Sequence, residues 1–186
     1  MSSKAVELYR KKVVSLERKV ERLKKQLVKA QRLAHVCSLT GLLDRRGLCA
    51  EAKRSLALAH RSNEPLGLLF VDLDLFKEVN DRHGHSVGDR ILRDFARFLK
   101  KTVRASDTVA RLSGDEFVVI LPSSDLATAG HVAEKIQKAL VVKRFVLNIR
   151  LSASVGACST SEGVKTFLGL KELADARMYQ GKPRAR

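Results

Sequence analysis

Four acids fall at two places in the chain that could form one site. Asp72 and Asp74 end an apolar run, Leu66-Gly67-Leu68-Leu69-Phe70-Val71. Asp115 and Glu116 lie between two more, Thr108-Val109-Ala110 and Phe117-Val118-Val119-Ile120-Leu121. The near-continuous first run predicts a strand buried on both faces. Period-2 alternation sets Asp72 and Asp74 on one side of it and Leu73 on the other. The two flanking runs predict a β-hairpin whose tip is Arg111-Leu112-Ser113-Gly114-Asp115-Glu116. If the hairpin pairs beside the first strand, Asp72 meets Asp115 and Glu116 at one edge. Clustered carboxylates repel one another, and a hard divalent cation bound through oxygen relieves that repulsion. As a set these acids predict a metal site. Taken singly, each reads as an exposed turn acid.

The elements that must position these acids follow in order. Gly41 marks a turn and Asp44 an N-cap, opening a helix from about Arg45 to His60 with Leu48, Leu56 and Ala59 inward. Asn63-Glu64-Pro65 ends it, and the acidic strand follows. Residues 76–89 read as a polar loop with Gly84 and Gly88, rich in groups able to hydrogen-bond a base or a phosphate. A helix over Arg90–Arg104 follows, with Ile91, Leu92, Phe95, Phe98 and Leu99 on its core face. After the hairpin come a helix over Ala127–Leu140 and strands at Phe145–Leu147 and Arg150–Cys158. A last helix runs over Thr166–Gln180, and Lys182, Arg184 and Arg186 make a basic end. The order is βαββαβ, an α/β sandwich with a mostly antiparallel central sheet.

Residues 1–36 differ in kind from the rest. Val6, Tyr9, Val13, Leu16, Val20, Leu23, Leu27, Ala30 and Ala34 recur at steps of three and four without a break. That is a heptad seam, with Val at a positions and Leu16 and Leu23 at d. It predicts a long helix in a parallel two-stranded coiled coil, hence a homodimer. A single amphipathic helix packed on its own domain, or a basic helix on a membrane, is the alternative. The chain thus divides at residues 36/37 into a dimerisation helix and a catalytic-type domain.

Composition narrows the function. The formal net charge is +16, with 36 Lys and Arg against 20 Asp and Glu. Eleven of those bases, against three Glu, fall in residues 1–36. Half the excess therefore sits on one short segment, which argues against a nucleic-acid surface and leaves room for a phosphate-rich small ligand. Cys37, Cys49 and Cys158 lie far apart, without metal or redox spacing. They read as reduced thiols. No membrane-length apolar stretch and no signal-peptide core occur, so a cytoplasmic protein is expected.

Several motifs together resemble the GGDEF domain of diguanylate cyclases over roughly residues 36 to 186. They are Leu39-Thr40-Gly41-Leu42 with Arg45-Arg46; Asp72-Leu73-Asp74 with Phe76-Lys77 and Asn80-Asp81; Gly84-His85 with Gly88-Asp89; Ser113-Gly114-Asp115-Glu116-Phe117; and Ala174-Asp175 with Tyr179 and Lys182. The resemblance implies a palm-like, nucleotidyl-cyclase-like fold. It also implies condensation of two GTP into cyclic di-GMP with release of two pyrophosphates, each of two facing domains holding one GTP. It casts Asp72, the Leu73 carbonyl and Asp115 as ligands of Mg²⁺ or Mn²⁺, two cations per site, with Glu116 in support. Asp115 is then the base for the ribose 3′-hydroxyl. Lys77, Lys182 and Arg186 serve the phosphates, with Ser113 and Gly114 beside them. Asn80, His85 and Asp89 fall where the family reads guanine. An ionised Asp89 accepts only, which suits guanine's N1–H and amino group and not adenine; a helix N-cap is its other reading. Arg104 and Asp107 match the inhibitory RxxD product site, with Arg111 assisting. Two departures stand out. Ser113 replaces a glycine, which costs roughly 1 kcal/mol if the position needs positive φ. Cys37 replaces an aspartate, so a tie to an arginine is expected to be lost. An upstream sensor or partner protein is expected to feed the helix.

Overall fold

The computed structural model describes residues 10, 12–23 and 35–182. Two compact units make up the chain, Met1–Val36 and Cys37–Arg186. In the first, residues 12–23 are helical, and Val13, Leu16, Val20 and Leu23 are exposed along them. The other seam positions, Val6, Tyr9, Leu27, Ala30 and Ala34, lie outside the described residues.

The second unit opens on a turn in which Cys37 N donates to Leu42 O and Gly41 N to Cys37 O. Its elements are α1 (Arg45–Ser62), β1 (Leu66–Leu73), α2 (Phe76–His83), α3 (His85–Thr102), β2 (Thr108–Ser113), β3 (Glu116–Pro122), α4 (Leu126–Val142), β4 (Ala153–Ser159) and α5 (Phe167–Gln180). Asp44 caps α1 as expected, its Oδ1 accepting from Gly47 N at 2.8 Å. Asn63 ends the helix in the left-handed region. The four strands form one sheet in the order β2-β3-β1-β4, every pairing antiparallel.

The sheet is covered on both faces, which is why β1 is apolar almost throughout. Leu69, Val71 and Leu73 join Phe117, Val119 and Leu121 in a core with α3 and α4. Leu66, Leu68 and Phe70 join Val118 and Ile120 in a second core with α1 and α5. Asp72 shares the parity of Leu68 and Phe70, so it belongs to the α1/α5 side of the sheet. Glu116 has the parity of Val118 and Ile120 and pairs opposite Asp72.

Three expectations are corrected. Residues 76–89 are not a loop: they form α2 and the first turn of α3, hinged at Gly84. The following helix therefore starts at His85, not Arg90, and Asp89 lies inside it rather than at its N-cap. Phe145–Leu147 is not a strand. Val146–Asn148 is a 3₁₀ turn, with Leu147 and Asn148 both left-handed, and β4 begins only at Ala153. Phe145 is buried and Leu147 is exposed, so the triplet has one inward residue and no period-2 face.

Candidate active site

The hairpin brings the distant acids together. β1 and β3 pair in register with Asp72 opposite Glu116, and Leu73 N donates to Asp115 O at 3.3 Å. The connection is a two-residue turn, Gly114-Asp115, closed by Ser113 opposite Glu116. Gly114 has φ +39°. Positive φ at the first of two central residues matches the right-handed twist of the flanking strands, and glycine adopts it without steric cost. Ser113 has no positive φ, so the strain expected of a serine there is not incurred. Leu112 is an extra residue between Arg111 and Ser113, a β-bulge of the kind that re-aims side chains beside a site.

Beside this edge lies a cavity of about 190 Å³, lined by Asp72, Leu73, Asp74, Lys77, Asp115 and Lys182 among others. Asp72 is 8% exposed. Lys182 Nζ lies 3.1 Å from its Oδ1. Burial pushes the Asp72 carboxyl up, the Lys182 hydrogen bond opposes that, and the charges of Asp115 and Glu116 reinforce it; the outcome is upward. For Lys182, burial pulls the ammonium down, but its bond to Asp72 and the charges of Asp72, Asp115 and Asp74 together outweigh this and the outcome is upward. Asp74 is held from the side by β4: its Oδ1 accepts from Ser154 Oγ at 2.6 Å and its N donates to Ser152 O. Lys77, in the first turn of α2, is exposed on the same cavity.

The sequence reading expected three carboxylates around a cation. Glu116 is instead engaged by the Ser113 hydroxyl across the turn. Among the described residues no three His, Cys, Asp or Glu side chains stand together as a ready metal cluster. Three aspartates line the cavity: Asp74 is engaged by Ser154 Oγ, Asp72 already carries the Lys182 ammonium, and Asp115 lies beside them. Carboxylate oxygens that already attract a cation suit a hard divalent ion such as Mg²⁺ or Mn²⁺.

The remaining predicted residues fall in two further places. Asn80, in the last turn of α2, lies against Gly88 of α3. His85 and Asp89 are one turn apart at the start of α3, both exposed. These three therefore share the α2–α3 corner. Arg104 and Asp107 lie at the opposite end of β2 from the Gly114-Asp115 turn. There Asp107 Oδ2 accepts from Arg104 N at 2.8 Å, and Asp107 N donates to Arg104 O. Arg111 is not joined to them. Its Nε donates to Gly114 O at 2.8 Å and its Nη1 to Cys37 Sγ at 3.4 Å. The tie expected to be lost with the replaced aspartate is thus kept through sulfur. Arg186 lies outside the described residues.

Sequence reasoning missed two contacts, the Arg111 strut on Gly114 and the Lys182 ammonium on Asp72. Each joins a long flexible side chain to a partner by geometry that no local pattern encodes.

A family model described as diguanylate cyclase, GGDEF domain, matches residues 34–186. The chain belongs to the GGDEF family. Diguanylate cyclase DosC of Escherichia coli is 38% identical to this GGDEF chain over 152 residues, 80% of the chain and 33% of DosC. Across the curated relatives it matches, the chain spans 33 to 39% of their length. The GGDEF domain of PA1120 (TpbB or YfiN) from Pseudomonas aeruginosa superposes with a TM-score of 0.75 at 37% identity, covering 82% of this chain and 91% of that one. The coiled coil and GGDEF domain of DgcB from Caulobacter crescentus, solved with c-di-GMP, gives 0.73 at 26% identity and covers 92% of each chain. The palm-like α/β fold with an antiparallel sheet is therefore that of the family. Among the described residues, no helix is long and apolar enough to cross a membrane.

Proposed function

We propose that this chain is a diguanylate cyclase. It joins two GTP into cyclic di-GMP with release of two pyrophosphates, as a homodimer in which each copy supplies one nucleotide. The observation that carries this is the meeting of Asp72 and Asp115 on one cavity with Lys77 and Lys182 beside them. Carboxylates facing lysines suit a triphosphate with its cations, because each charge finds its complement. Asp72, the Leu73 carbonyl and Asp115 would hold Mg²⁺ or Mn²⁺, with Glu116 in reserve behind Ser113. Such cations lower the pKa of a coordinated hydroxyl and neutralise phosphate charge.

The chain's own groups do the rest. Asp115 accepts the proton of the attacking 3′-hydroxyl. Lys77 stabilises charge on the phosphoryl oxygens in transfer. Lys182 and Arg186 hold the outer phosphates, and Gly114 lets the backbone approach them. Asn80, His85 and Asp89, sharing the α2–α3 corner, read guanine, with Asp89 accepting from N1–H and the amino group. Arg104 and Asp107 form a product site at the far end of β2. Residues 1–36 join two copies through the heptad seam, and an upstream sensor or partner acts on them.

The test is incubation with Mg²⁺ and GTP followed by chromatography for cyclic di-GMP. Wild type makes product, and Asp115→Ala abolishes turnover while leaving the fold intact by circular dichroism. A second reading is favoured by one observation, the engagement of Glu116 by the Ser113 hydroxyl. In it the domain binds GTP or cyclic di-GMP without turning it over. Intact GTP binding with no product at high protein concentration selects that reading, and turnover gained by Ser113→Gly would attribute the silence to this contact.

A further inference from the structure

Lys182 rests on the very carboxylate that the proposed function gives to a divalent cation. Its Nζ is 3.1 Å from Asp72 Oδ1, and the Asp72 side chain is only 11% exposed. The contact is built by the fold. Gly156 of β4 lies under α5 so closely that a Cβ there would meet Ala174 O at 1.9 Å. That close approach seats α5 on the sheet. Gly181 N then donates to Arg177 O and Met178 O, and Lys182 N to Tyr179 O, which fixes where the lysine leaves the helix. Its side chain is 37% exposed, so it has solvent to swing into.

An ammonium and a divalent cation cannot share one carboxylate oxygen without strong repulsion at contact distance. With the lysine in place, Asp72 is neutralised and the negative charge facing an incoming metal is reduced by one. A triphosphate offers the lysine a rival anion. Once Lys182 moves to phosphate oxygen, Asp72 is released to the metal.

We propose that Lys182 is a tethered counter-cation that occupies Asp72 until a nucleoside triphosphate draws it away, so that the divalent cation enters with the nucleotide and not before it. The inference rests on the reading of Asp72 as a cation ligand. Lys77 supplies the control. It lines the same cavity and carries the same charge, but makes no ion pair among the described residues. Removing it tests charge alone, whereas removing Lys182 tests charge and occupancy together.

The experiment is Mn²⁺ binding to the full chain, followed by electron paramagnetic resonance without nucleotide, for wild type, Lys182→Met, Lys77→Met and Asp72→Asn. Circular dichroism checks that each variant is folded. Losing an ion pair of this kind is worth up to about a factor of five in the competing equilibrium. Lys182→Met is therefore expected to bind Mn²⁺ about fivefold more tightly than wild type, and more tightly than Lys77→Met. Repeating the titration with a non-hydrolysable GTP analogue should erase most of that advantage, because in wild type the analogue has already displaced the lysine. Lys182→Met matching wild type, or matching Lys77→Met, overturns the proposal. In that case, loss of Mn²⁺ in Asp72→Asn would leave the cation-site reading standing. Mn²⁺ binding unchanged in Asp72→Asn overturns both.

Discussion

Arg111 links the start of the second unit, at Cys37, to the Gly114-Asp115 turn. One end of its guanidinium holds the Gly114 carbonyl at 2.8 Å and the other meets Cys37 Sγ at 3.4 Å. The thiol responds to its surroundings. Burial raises it, but hydrogen bonds from the Thr40 side chain and backbone, from Arg111 and from the Leu39 backbone together outweigh that and bring it from 9.0 down to about 7. Cys158, buried beneath α5, goes the other way, to about 11, chiefly through burial. Thiolate is the nucleophile toward alkylating agents, so these values separate the two cysteines. In a Cys49→Ser background, iodoacetamide labelling of Cys37, read by peptide mass spectrometry, should rise with a midpoint near pH 7 while Cys158 stays unlabelled in the folded protein. Arg111→Ala should move the Cys37 midpoint upward. A midpoint that stays put in that variant would mean the guanidinium contributes nothing to the thiolate.

The hairpin β2–β3 links chemistry to core within two residues, because Asp115 lines the cavity and Phe117 is wholly buried. Phe117 packs edge-on against Phe95 with ring centroids 5.0 Å apart, fixing β3 to α3. Phe117→Ala should cost about 3–5 kcal/mol in urea unfolding, the usual penalty for emptying an aromatic core position. At the other edge, Arg177 of α5 grips Glu162 with both nitrogens, at 2.6 and 3.0 Å, and reaches Ala157 O of β4. The Arg177 hydrogen bond is the main cause holding the Glu162 carboxyl below its ordinary 4.5. A carboxylate with a depressed folded value stabilises the fold above its unfolded value and stops doing so as pH falls through the folded one. Glu162→Gln should therefore lower stability by about 1 kcal/mol at neutral pH, and the gap should close as melting is repeated below pH 4.5. The same elements show what a sequence can and cannot say. β1, the hairpin and the cap at Asp44 were legible because apolar runs and capping side chains are local signals. α2 was not, because only Phe76 of its eight residues is buried, with Val79 half-buried against the same core, and two apolar residues in a short polar segment are too few to set a period. The acids at Asp72 and Asp115 could be paired from strand order alone. The lysine that sits on Asp72 could not, since it depends on how closely α5 descends on Gly156.

At the scale of the whole molecule, the proposed reaction needs two nucleotides held by two copies, so the rate should follow whatever brings copies together. The helix over residues 12–23 presents Val13, Leu16, Val20 and Leu23 to solvent. Their a and d spacing is that of a two-stranded seam. Residues 1–36 are strongly basic in sequence, with eleven Lys and Arg against three Glu. Two copies paired along that seam would repel through these like charges, and the apolar seam would have to overcome that repulsion. Salt screens exposed like charges over a Debye length of about 8 Å at physiological ionic strength. Raising salt should therefore tighten the dimer, measured by sedimentation equilibrium. Nucleic-acid binding by the same basic segment would respond in the opposite sense, weakening steeply as counterions compete. Replacing Leu16 and Val20 together by Lys should leave a folded monomer whose turnover per chain grows with protein concentration, because two domains must then meet by diffusion. Turnover in that variant equal to wild type and independent of concentration would show that residues 1–36 do not supply the pairing and that another surface of the GGDEF domain does.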